Sequence, residues 1–491
     1  MTTPEPLAPA GAPPAAPRPA PQPLEPDAAT LHEWIAAAGA YVERHLGGLA
    51  TAPSWNTESA AAVATQIAAE PLPETGRPLD EVMARLDPAI QASLTTAGPG
   101  YLAFIPGGGI PTAAIADFIA CATNRFVNVT LAAPGLAEVE RTTLRWLAEL
   151  MGMPKGSNGI FTSGGSLSNL AALVAAREEQ LGEDFHDGTI YYSEDTHACV
   201  AKAARLAGFP HRALRIVPVD ARRRMRTDAL ERSVEEDRAA GRRPFFVVAN
   251  AGTTNTGAID PLPSILDIAR AHKLWAHVDG AYGGLFRIAD GGDALLPRLG
   301  EFDSVTLDPH KCLFLPYGTG ALLMKDPEAL RRAHASHASY LQDVKEDAPL
   351  GFTDYSPELS RDFRGLRLWL PFMVHGIAAF RAQLTEKLAL TQWAHERLAT
   401  EPLFAIFDPP QLSIVAFSAR PPDGHRLDAN AFSAEVLRRV HLRKRVYMSS
   451  TTIDGRYLIR ICVVSFRTHA DRVQEAVEGL IEEARKLARE G

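Results

Sequence analysis

Residues 244–284 read PFFVVANAGTTNTGAIDPLPSILDIARAHKLWAHVDGAYGG, and this stretch decides the fold class. An apolar run at 244–249 is followed by a turn rich in glycine and threonine. A helical pattern at 261–273 and a second apolar run at 274–278 come next. Apolar runs joined through amphipathic helices are typical of parallel strands with crossover connections. The stretch therefore predicts an α/β fold in which a mainly parallel sheet is covered by helices on both faces.

The same alternation extends on both sides of this stretch and sets the predicted domain limits. TIYYS at 189–193 and ALRIVPV at 213–219 are each followed by a helical pattern, and SVTL at 304–307 is a further strand candidate. We predict a disordered tail rich in proline and alanine at 1–28 and a helical segment at 29–106. We predict the large domain at 107–372 and a small α+β domain at 373–491.

The bulk composition excludes several classes of protein. The chain has 491 residues, 46% of them hydrophobic and 22% charged, with a formal charge of −8 and a pI near 6.0. This acidic balance argues against nucleic acid or an anionic membrane as the main partner. No apolar run approaches the roughly 20 residues that span a bilayer, and the tail lacks the basic region of a targeting peptide. The four cysteines are far apart, so we expect no disulfide framework and no metal site, and a cytoplasmic protein.

The segment TSGGSLSN at 162–169 follows a predicted strand and opens a predicted helix. Glycines let the backbone approach a ligand closely, and the N-terminus of the helix supplies free N–H groups and a positive dipole. The segment lacks the lysine of a Walker A loop and the spacing of a dinucleotide fingerprint. It indicates a phosphate cradle, although a Gly-Ser turn of this kind can also be a plain helix cap.

Three further residues lie at predicted strand ends, where ligands bind in open α/β sheets. His197 could stack on a planar ligand or cap a helix, and Asp279 could hold a protonated ring nitrogen or cap a turn. Lys311 could reach the surface, or burial could lower its pKa and free its amine to attack a carbonyl. A cradle, a stacking ring, a carboxylate and an imine-forming lysine are together the requirements of pyridoxal 5′-phosphate.

The motifs GGSLSNLAALVAAR, AGTTNTGAIDPL, HVDGAYGG, DPHK and FRGLRLWL are similar to those of the group II pyridoxal-phosphate-dependent amino acid decarboxylases. The resemblance extends from about residue 30 to 485, and the aromatic-L-amino-acid decarboxylase branch is the nearest in pattern. It implies an aspartate-aminotransferase-like large domain, fold type I, with a mainly parallel seven-stranded sheet. It also implies decarboxylation of an L-amino acid to the amine and carbon dioxide.

The resemblance also implies roles for individual residues around the cofactor ring. Lys311 is expected to bind the cofactor's aldehyde covalently, and Asp279 to pair with its ring nitrogen. His197 is expected to stack on one face of the ring, and Ala281 to contact the other face with its methyl group.

A second set of residues is expected near the phosphate and the acid. Gly165, Ser166 and His310 should contact the phosphate. Asp308 occupies a position where the family often has asparagine or serine. Asn250 occupies a position where the family commonly has a threonine that supports the carboxylate corresponding to Asp279. Both are expected cofactor contacts, and both depart from the family pattern.

The segment 336–366 resembles the loop that closes over the family's active site, and it contains Tyr355 in a TDY context. A loop tyrosine in the family is associated with protonation of the substrate carbon, and phenylalanine there with aldehyde formation. The resemblance therefore implies that Tyr355 is a catalytic proton donor. The alternative is a tyrosine in an exposed turn.

The resemblance implies a homodimer with active sites shared between subunits. The stretches GYLAFIPGGG at 100–109 and NRFVNVTLAAP at 124–134 should line the substrate pocket, the second of them from the partner chain. The candidate pocket residues are Phe104, Pro106, Phe126 and Asn128, for which core packing is the alternative. Three glycines after Pro106 favour a bulky aromatic substrate, whereas Arg125 leaves glutamate or another acidic substrate open.

Three hypotheses therefore stay open at the level of sequence. The first is a decarboxylase of an aromatic or, alternatively, an acidic amino acid. The second is an aldehyde synthase that couples decarboxylation to oxidative deamination. The third is a catalytically silent relative that serves as a binding protein.

Overall fold

The computed structural model describes residues 24–105, 107–335 and 351–490. Most of the predicted tail, at 1–23, lies outside these ranges, and so do Pro106 and much of the predicted loop segment. The first helix begins at Ala28, directly after Asp27, whose carboxylate accepts a hydrogen bond from the Thr30 N–H at 2.8 Å. This is an ordinary N-cap, and the helix begins at the last residue of the predicted tail.

The segment before the large domain is helical, as predicted, and ends in a short strand. Its elements are α1 (Ala28–Gly48), α2 (Ala60–Ala68), α3 (Leu79–Gln91) and β1 (Tyr101–Leu102). None of the residues in these three helices is buried in the chain. The helices therefore contribute little to the core of a single subunit.

The large domain alternates strands and helices along the chain. Its strands are β2 (Asn158–Thr162), β3 (Gly188–Ser193), β4 (Leu214–Val217), β5 (Arg243–Asn250), β6 (Trp275–Gly280), β7 (Ser304–Leu307) and β8 (Gly320–Met324). Its helices are α4 (Pro111–Thr123), α5 (Pro134–Leu150), α6 (Gly165–Gln180), α7 (Cys199–Leu206), α8 (Thr227–Ala239), α9 (Leu262–Ala271), α10 (Gly292–Leu295), α11 (Pro309–Cys312), α12 (Glu328–His334) and α13 (Phe352–Tyr355). Short 3-10 helices lie at His211–Ala213, Gly284–Ile288 and Leu299–Glu301.

The seven strands form one sheet in the order β2-β8-β7-β6-β5-β3-β4. Only β8 runs against its neighbours β2 and β7, so the sheet is mainly parallel. Consecutive residues of β5, such as Phe245 and Phe246, are both buried, which is typical of a sheet covered on both faces. The predicted fold type I large domain is confirmed. The strand register pairs Asn250 with Asp279 and Asp279 with Thr306, and so aligns the strand ends that carry the site.

The C-terminal part is a small α+β unit. Its elements are α14 (Gly365–Ala399), β9 (Phe404–Ile406), β10 (Ile414–Ala419), α15 (Ala429–Leu442), β11 (Tyr447–Ile453), β12 (Arg456–Cys462) and α16 (Ala470–Ala488). Helix α14 contains a kink at Gly376, whose φ of +70° suits glycine. The predicted limit between residues 372 and 373 falls inside α14, just before the kink at Gly376 that divides α14 into two helical parts. The domain limits otherwise stay a prediction.

The small sheet takes one strand from the other end of the chain. Its order is β1-β11-β12-β10-β9, and β1 pairs with β11 in parallel. Leu102 of β1 is fully buried within the hydrophobic cluster of the C-terminal unit. The end of the segment before the large domain therefore contributes to the C-terminal core.

A buried ion pair connects α5 to the start of α14. The Arg361 guanidinium donates to Glu140, both side chains are fully buried, and the Gly365 N–H donates to the same carboxylate at 3.1 Å. Glu140→Ala would leave the guanidinium buried without its partner, so we expect a loss of about 3–5 kcal/mol in the free energy of unfolding. Urea denaturation measures this loss.

The matched control is Glu149→Ala on the same helix. Glu149 pairs with Arg145 at 3.0 Å, and both side chains are at least half exposed. We expect this loss to stay near 0.5 kcal/mol. Equal losses for Glu140→Ala and Glu149→Ala would contradict the assignment of stability to the buried pair.

Candidate active site

A cavity of about 340 Å³ lies at the carboxyl ends of β2, β3, β5, β6 and β7. It brings together all nine residues that the sequence predicts around a cofactor, although they come from five different strand ends. These are Gly165, Ser166, His197, Asn250, Asp279, Ala281, Asp308, His310 and Lys311. The parallel sheet therefore brings together residues that lie up to 146 positions apart in the sequence (311 − 165).

The cradle is formed where β2 gives way to α6. The backbone N–H groups of Gly165 and Ser166 lie in the first turn of this helix, where geometry leaves them without an intrahelical acceptor. A Cβ atom at Gly165 would lie 3.0 Å from the Ala281 Cβ and 3.2 Å from an Asp308 carboxylate oxygen. Only glycine leaves this side of the cavity open, so the turn suits a phosphate group that contacts the backbone closely.

Asp279 is a buried carboxylate with partners on both oxygens. Its Oδ1 accepts a hydrogen bond from the Ala281 N–H at 3.1 Å, and its Oδ2 accepts one from the Asn169 side-chain amide at 3.0 Å. Two donors hold the carboxylate group in one orientation at the cavity wall. A protonated ring nitrogen is a suitable further partner, because a buried carboxylate gains from a close cation.

Lys311 pairs with Asp308, and this changes its expected ionisation. The Lys311 Nζ lies 2.9 Å from Asp308 Oδ2. Burial lowers the pKa of Lys311, but the charge and hydrogen bond of Asp308, with a further contribution from Asp279, outweigh burial and raise it. The expectation that burial would lower this pKa is wrong for the chain without cofactor, because the neighbouring carboxylate stabilises the ammonium form.

His310 and Asp308 lie next to the cradle. The His310 Nδ1 is 2.8 Å from the Thr319 carbonyl oxygen, so this nitrogen carries a proton and donates it. Its other nitrogen, Nε2, is 3.8 Å from Asp308 Oδ2. The second oxygen of Asp308, Oδ1, is buried and has no hydrogen-bond partner within the described residues. Both side chains thus keep polar atoms available toward the cavity.

Asn250 lines the cavity but does not contact Asp279 through its side chain. Its amide group donates to Ser193 Oγ at 3.1 Å, to Thr196 Oγ1 at 3.0 Å and to Asp260 Oδ2 at 2.7 Å. The role of supporting the acid is therefore taken by another residue in this chain. Asn250 instead holds the loop after β3, which ends in His197.

His197 lies at the exposed rim of the cavity. Its Nδ1 accepts a hydrogen bond from the Cys199 N–H at 3.2 Å, which fixes the ring at the start of α7. Lys311, Asp279, His197 and the cradle together fit a planar pyridine ring that carries a phosphate, as pyridoxal 5′-phosphate does.

Tyr355 lies outside this cavity in the single chain, and this placement does not support its predicted role as a catalytic proton donor. Its hydroxyl donates to Glu328 Oε1 at 2.7 Å, and the side chain lines a different cavity beside Gly351 and Phe352. Burial and the hydrogen bond to Glu328 raise the pKa of Tyr355 to about 12. The contact between α13 and α12 holds this tyrosine away from Lys311. Residues 336–350 of the predicted loop lie outside the described ranges.

Three of the predicted substrate residues, Phe104, Phe126 and Asn128, are not among the residues that line the cavity of their own chain. Phe104 is 56% exposed with a φ of +54°, and Phe126 is 49% exposed. Asn128 is buried, and its amide donates to the Arg361 carbonyl oxygen at 3.1 Å, so it supports the backbone instead. The stretch itself lies close to the site, because a Cβ at Gly107 would lie 2.0 Å from the His310 carbonyl oxygen. Pro106 is outside the described residues.

Several residues at the site are missing from the sequence prediction. Asn169, Cys199 and Tyr282 line the cavity, and His277 lies behind it. Asn169 comes one helical turn after Gly165, a spacing that places both on one face of α6. That spacing is a signal by which Asn169 could have been found.

Neither a membrane-spanning helix nor a metal-binding cluster is found in the described ranges. No helix there is long and apolar enough to cross a membrane. No group of three or more histidine, cysteine or acidic side chains in them is arranged to hold a metal ion. The cytoplasmic location and the lack of a nucleic-acid partner stay predictions.

Comparisons with known proteins cover the same region. A family model described as the pyridoxal-dependent decarboxylase conserved domain matches residues 64–420. An aromatic-L-amino-acid decarboxylase of Bacillus atrophaeus is 33% identical over 421 residues, covering 84% of this chain and 88% of that protein. An L-2,4-diaminobutyrate decarboxylase of Rhizobium meliloti (strain 1021) is 31% identical over 425 residues, covering 85% and 84%.

The fold also matches a solved structure. The crystal structure of Catharanthus roseus tryptophan decarboxylase in complex with L-tryptophan superposes with a TM-score of 0.86 at 27% identity. The match covers 96% of this chain and 100% of that chain. The similarity therefore includes every strand end that contributes to the cavity.

Proposed function

This chain belongs to the pyridoxal-dependent amino acid decarboxylase family, and we propose that its substrate is an aromatic L-amino acid and its product the corresponding amine. As a member of this family it is a carboxy-lyase that uses pyridoxal 5′-phosphate and acts on an amino acid. The observation that carries the proposal is the meeting of Lys311, Asp279 and the Gly165 cradle in one cavity.

Each residue of the cavity has a separate task in this proposal. When bound, pyridoxal 5′-phosphate supplies an aldehyde that takes up the substrate amine and a ring that accepts the electron pair left by departing carbon dioxide. Lys311 would hold the aldehyde carbon of the bound cofactor through its side-chain nitrogen. Asp279 keeps the proton on the ring nitrogen, and this fixed negative charge is in place before the reaction begins. The N–H groups of Gly165 and Ser166 hold the phosphate.

The aromatic substrate is supported by the chemistry of the cavity lining. In the ranges that the structure describes, no arginine lines the cavity, and its one lysine is Lys311. Within one subunit the side-chain carboxylate of glutamate would therefore lack a cation, which disfavours the acidic alternative. Asp279 already has a hydrogen-bond donor on each of its carboxylate oxygens, so it is a poor match for a second substrate amine. The Bacillus and Catharanthus relatives act on aromatic amino acids by name.

The test is a panel of tryptophan, tyrosine, phenylalanine, glutamate and 2,4-diaminobutyrate, with carbon dioxide and amine measured for each. We expect kcat/KM to be highest for an aromatic member. A preference for glutamate or diaminobutyrate would contradict the proposed substrate class. Ammonia, peroxide and aldehyde are measured in parallel, and aldehyde as the main product would favour the aldehyde synthase instead.

Tyr355→Phe is expected to leave the product unchanged. The Tyr355 hydroxyl binds Glu328 outside the cavity, so kcat should stay within about threefold of the parent enzyme and the amine should remain the product. Product analysis by chromatography measures the ratio of amine to aldehyde. The comparison variant is Tyr340→Phe, which alters the other tyrosine of the 336–366 segment. A shift to aldehyde in Tyr355→Phe alone would restore the catalytic role.

A homodimer is supported by the N-terminal helices. None of the residues in α1, α2 and α3 is buried, yet Leu31, Trp34 and Ile35 present large apolar side chains at 43–46% exposure. Helices with an uncovered apolar face pack against another surface, and a second copy of this chain is the proposed one.

The shared site is tested by mixing two inactive variants. Lys311→Ala removes the amine, and Phe126→Asp alters the exposed residue that we expect in the partner's pocket. In a shared-site dimer each hybrid has one intact cavity, so coexpression should restore up to about half of the parent activity per hybrid. Sedimentation at the mass of one chain, or no recovery of activity, would contradict the shared-site dimer.

A further inference from the structure

His277 is a buried histidine that none of the steps above uses. It lies two residues before Asp279 on β6, so both side chains point to the same face of the sheet. The His277 Nε2 is 2.8 Å from Asn169 Oδ1, and its Nδ1 is 2.7 Å from Ser304 Oγ. The Phe246 ring stacks on it with centroids 5.6 Å apart. The imidazole is thus held on two edges and one face.

The direction of these hydrogen bonds is fixed from one end by Trp275. The indole Nε1 can only donate, and it lies 2.8 Å from Ser304 Oγ, which must accept. The Ser304 hydroxyl then has its own proton available for His277 Nδ1. A neutral imidazole that accepts at Nδ1 carries its proton at Nε2 and donates it to Asn169 Oδ1. Burial lowers the pKa of His277 to about 4, so the ring is neutral near pH 7.

The direction is fixed from the other end by Asp279. An ionised carboxylate can only accept, so the Asn169 group that faces Asp279 Oδ2 at 3.0 Å must be the amide nitrogen. Its Oδ1 then accepts from His277 Nε2 and from the Thr306 hydroxyl, which is 2.8 Å away. The two ends give the same assignment of every proton.

We propose that His277 and Asn169 are positioning residues, which orient the Asp279 carboxylate so that it pairs with the protonated ring nitrogen of the cofactor. Trp275, Ser304, His277 and Asn169 form a one-way chain of donors that ends on the Asp279 carboxylate. The opposite orientation of the Asn169 amide would place its oxygen against Asp279 Oδ2, and two donors on Asn169 Oδ1 prevent it. The proposal rests on pyridoxal 5′-phosphate as cofactor and holds for any amino acid substrate.

Two substitutions at His277 separate positioning from packing. In His277→Gln, the longer amide can place an N–H near the former Nε2 and donate to Asn169. In His277→Asn, the shorter amide reaches only the former Nδ1 position and leaves Asn169 without this donor. Both replace the buried ring by an amide and lose its stacking on Phe246, and they differ in the hydrogen bond to Asn169 and by one methylene group.

The readouts do not depend on turnover. Titration of the full-length chain with pyridoxal 5′-phosphate gives the cofactor affinity. Nitrogen NMR of isotopically labelled cofactor gives the protonated fraction of its ring nitrogen at neutral pH. We expect His277→Asn to weaken cofactor affinity about tenfold and to lower the protonated fraction, because outer partners of cofactor ligands commonly contribute this much. His277→Gln should stay near the parent protein in both.

Thr306→Val serves if the histidine variants do not fold. It preserves the side-chain shape and removes the second donor to Asn169 Oδ1, so it should change both readouts in the same direction by a smaller amount. Equal behaviour of His277→Asn and His277→Gln would overturn the proposal. Parent-like affinity and protonation in Thr306→Val would overturn it as well. A wrong assignment of the aromatic substrate alters neither readout.

Discussion

Lys311→Ala is expected to abolish turnover, with kcat lowered by roughly 10⁴-fold or more. The Lys311 amine is the one lysine nitrogen that lines the cavity in the described ranges, and alanine cannot form a covalent bond with an aldehyde. The absorbance of the bound cofactor should change, and borohydride treatment should no longer attach the cofactor to the peptide that contains residue 311. Carbon dioxide release measures the loss of turnover.

Two controls separate the chemistry of Lys311 from its charge. Lys311→Arg keeps a cation beside Asp308, but a guanidinium stays protonated and cannot condense with an aldehyde, so the same loss is expected. Lys202→Ala changes an exposed lysine of α7 and should leave turnover unchanged. Activity in Lys311→Arg close to that of the parent enzyme would show that the lysine contributes charge alone.

Asp279→Asn is expected to lower kcat about 10³-fold, as removal of a fixed charge at the reacting group does. Asparagine is similar in shape but neutral, so the ring nitrogen loses the anion that favours its protonated form. Its amide also cannot accept from both Ala281 and Asn169 as the carboxylate does. The measurement is kcat at saturating substrate, with the ring-nitrogen NMR signal as a second readout.

The matched control is Asp267→Asn on α9. Its carboxylate is largely exposed and pairs with Arg298 at 2.8 Å, so kcat should stay within about twofold of the parent enzyme. Activity of Asp279→Asn within tenfold of the parent enzyme would contradict the assigned role. That result would also remove the basis for a positioning role of His277. If Asp279→Asn loses activity but the His277 variants behave like the parent protein, only the role of His277 is contradicted.

The sequence predicts the large domain well because its signals are local. The apolar run of β5 and the helical period of α9 reflect burial on both faces of a sheet, and each is readable within a few residues. The reversed direction of β8 has no such local signal, since it depends on which strands become neighbours. The kink of α14 at Gly376 has no clear local signal either, because an apolar helical pattern does not tell which domain it packs against.

The candidate site shows the same division between local and distant causes. Glycines and strand ends are local features, so Gly165, Asp279 and Lys311 could be predicted to meet. The raised pKa of Lys311 depends on the distance to Asp308, which only the folded turn sets. Tyr355 is fixed by a contact with Glu328, 27 positions earlier, and no local pattern indicates it. The position of His277 could have been predicted, because the alternation of side chains along a strand places it on the same face of the sheet as Asp279.

The pairing of β1 with β11 determines when the small sheet can form during synthesis, which the domain limits do not indicate. Tyr101 and Leu102 leave the ribosome early, but their partners Tyr447 and Met448 are among the last to be made. The small sheet therefore stays incomplete until synthesis is nearly finished. A C-terminal fragment that begins at residue 373 would lack both β1 and the Leu102 side chain. The edge of β11 would then be open to pairing between molecules.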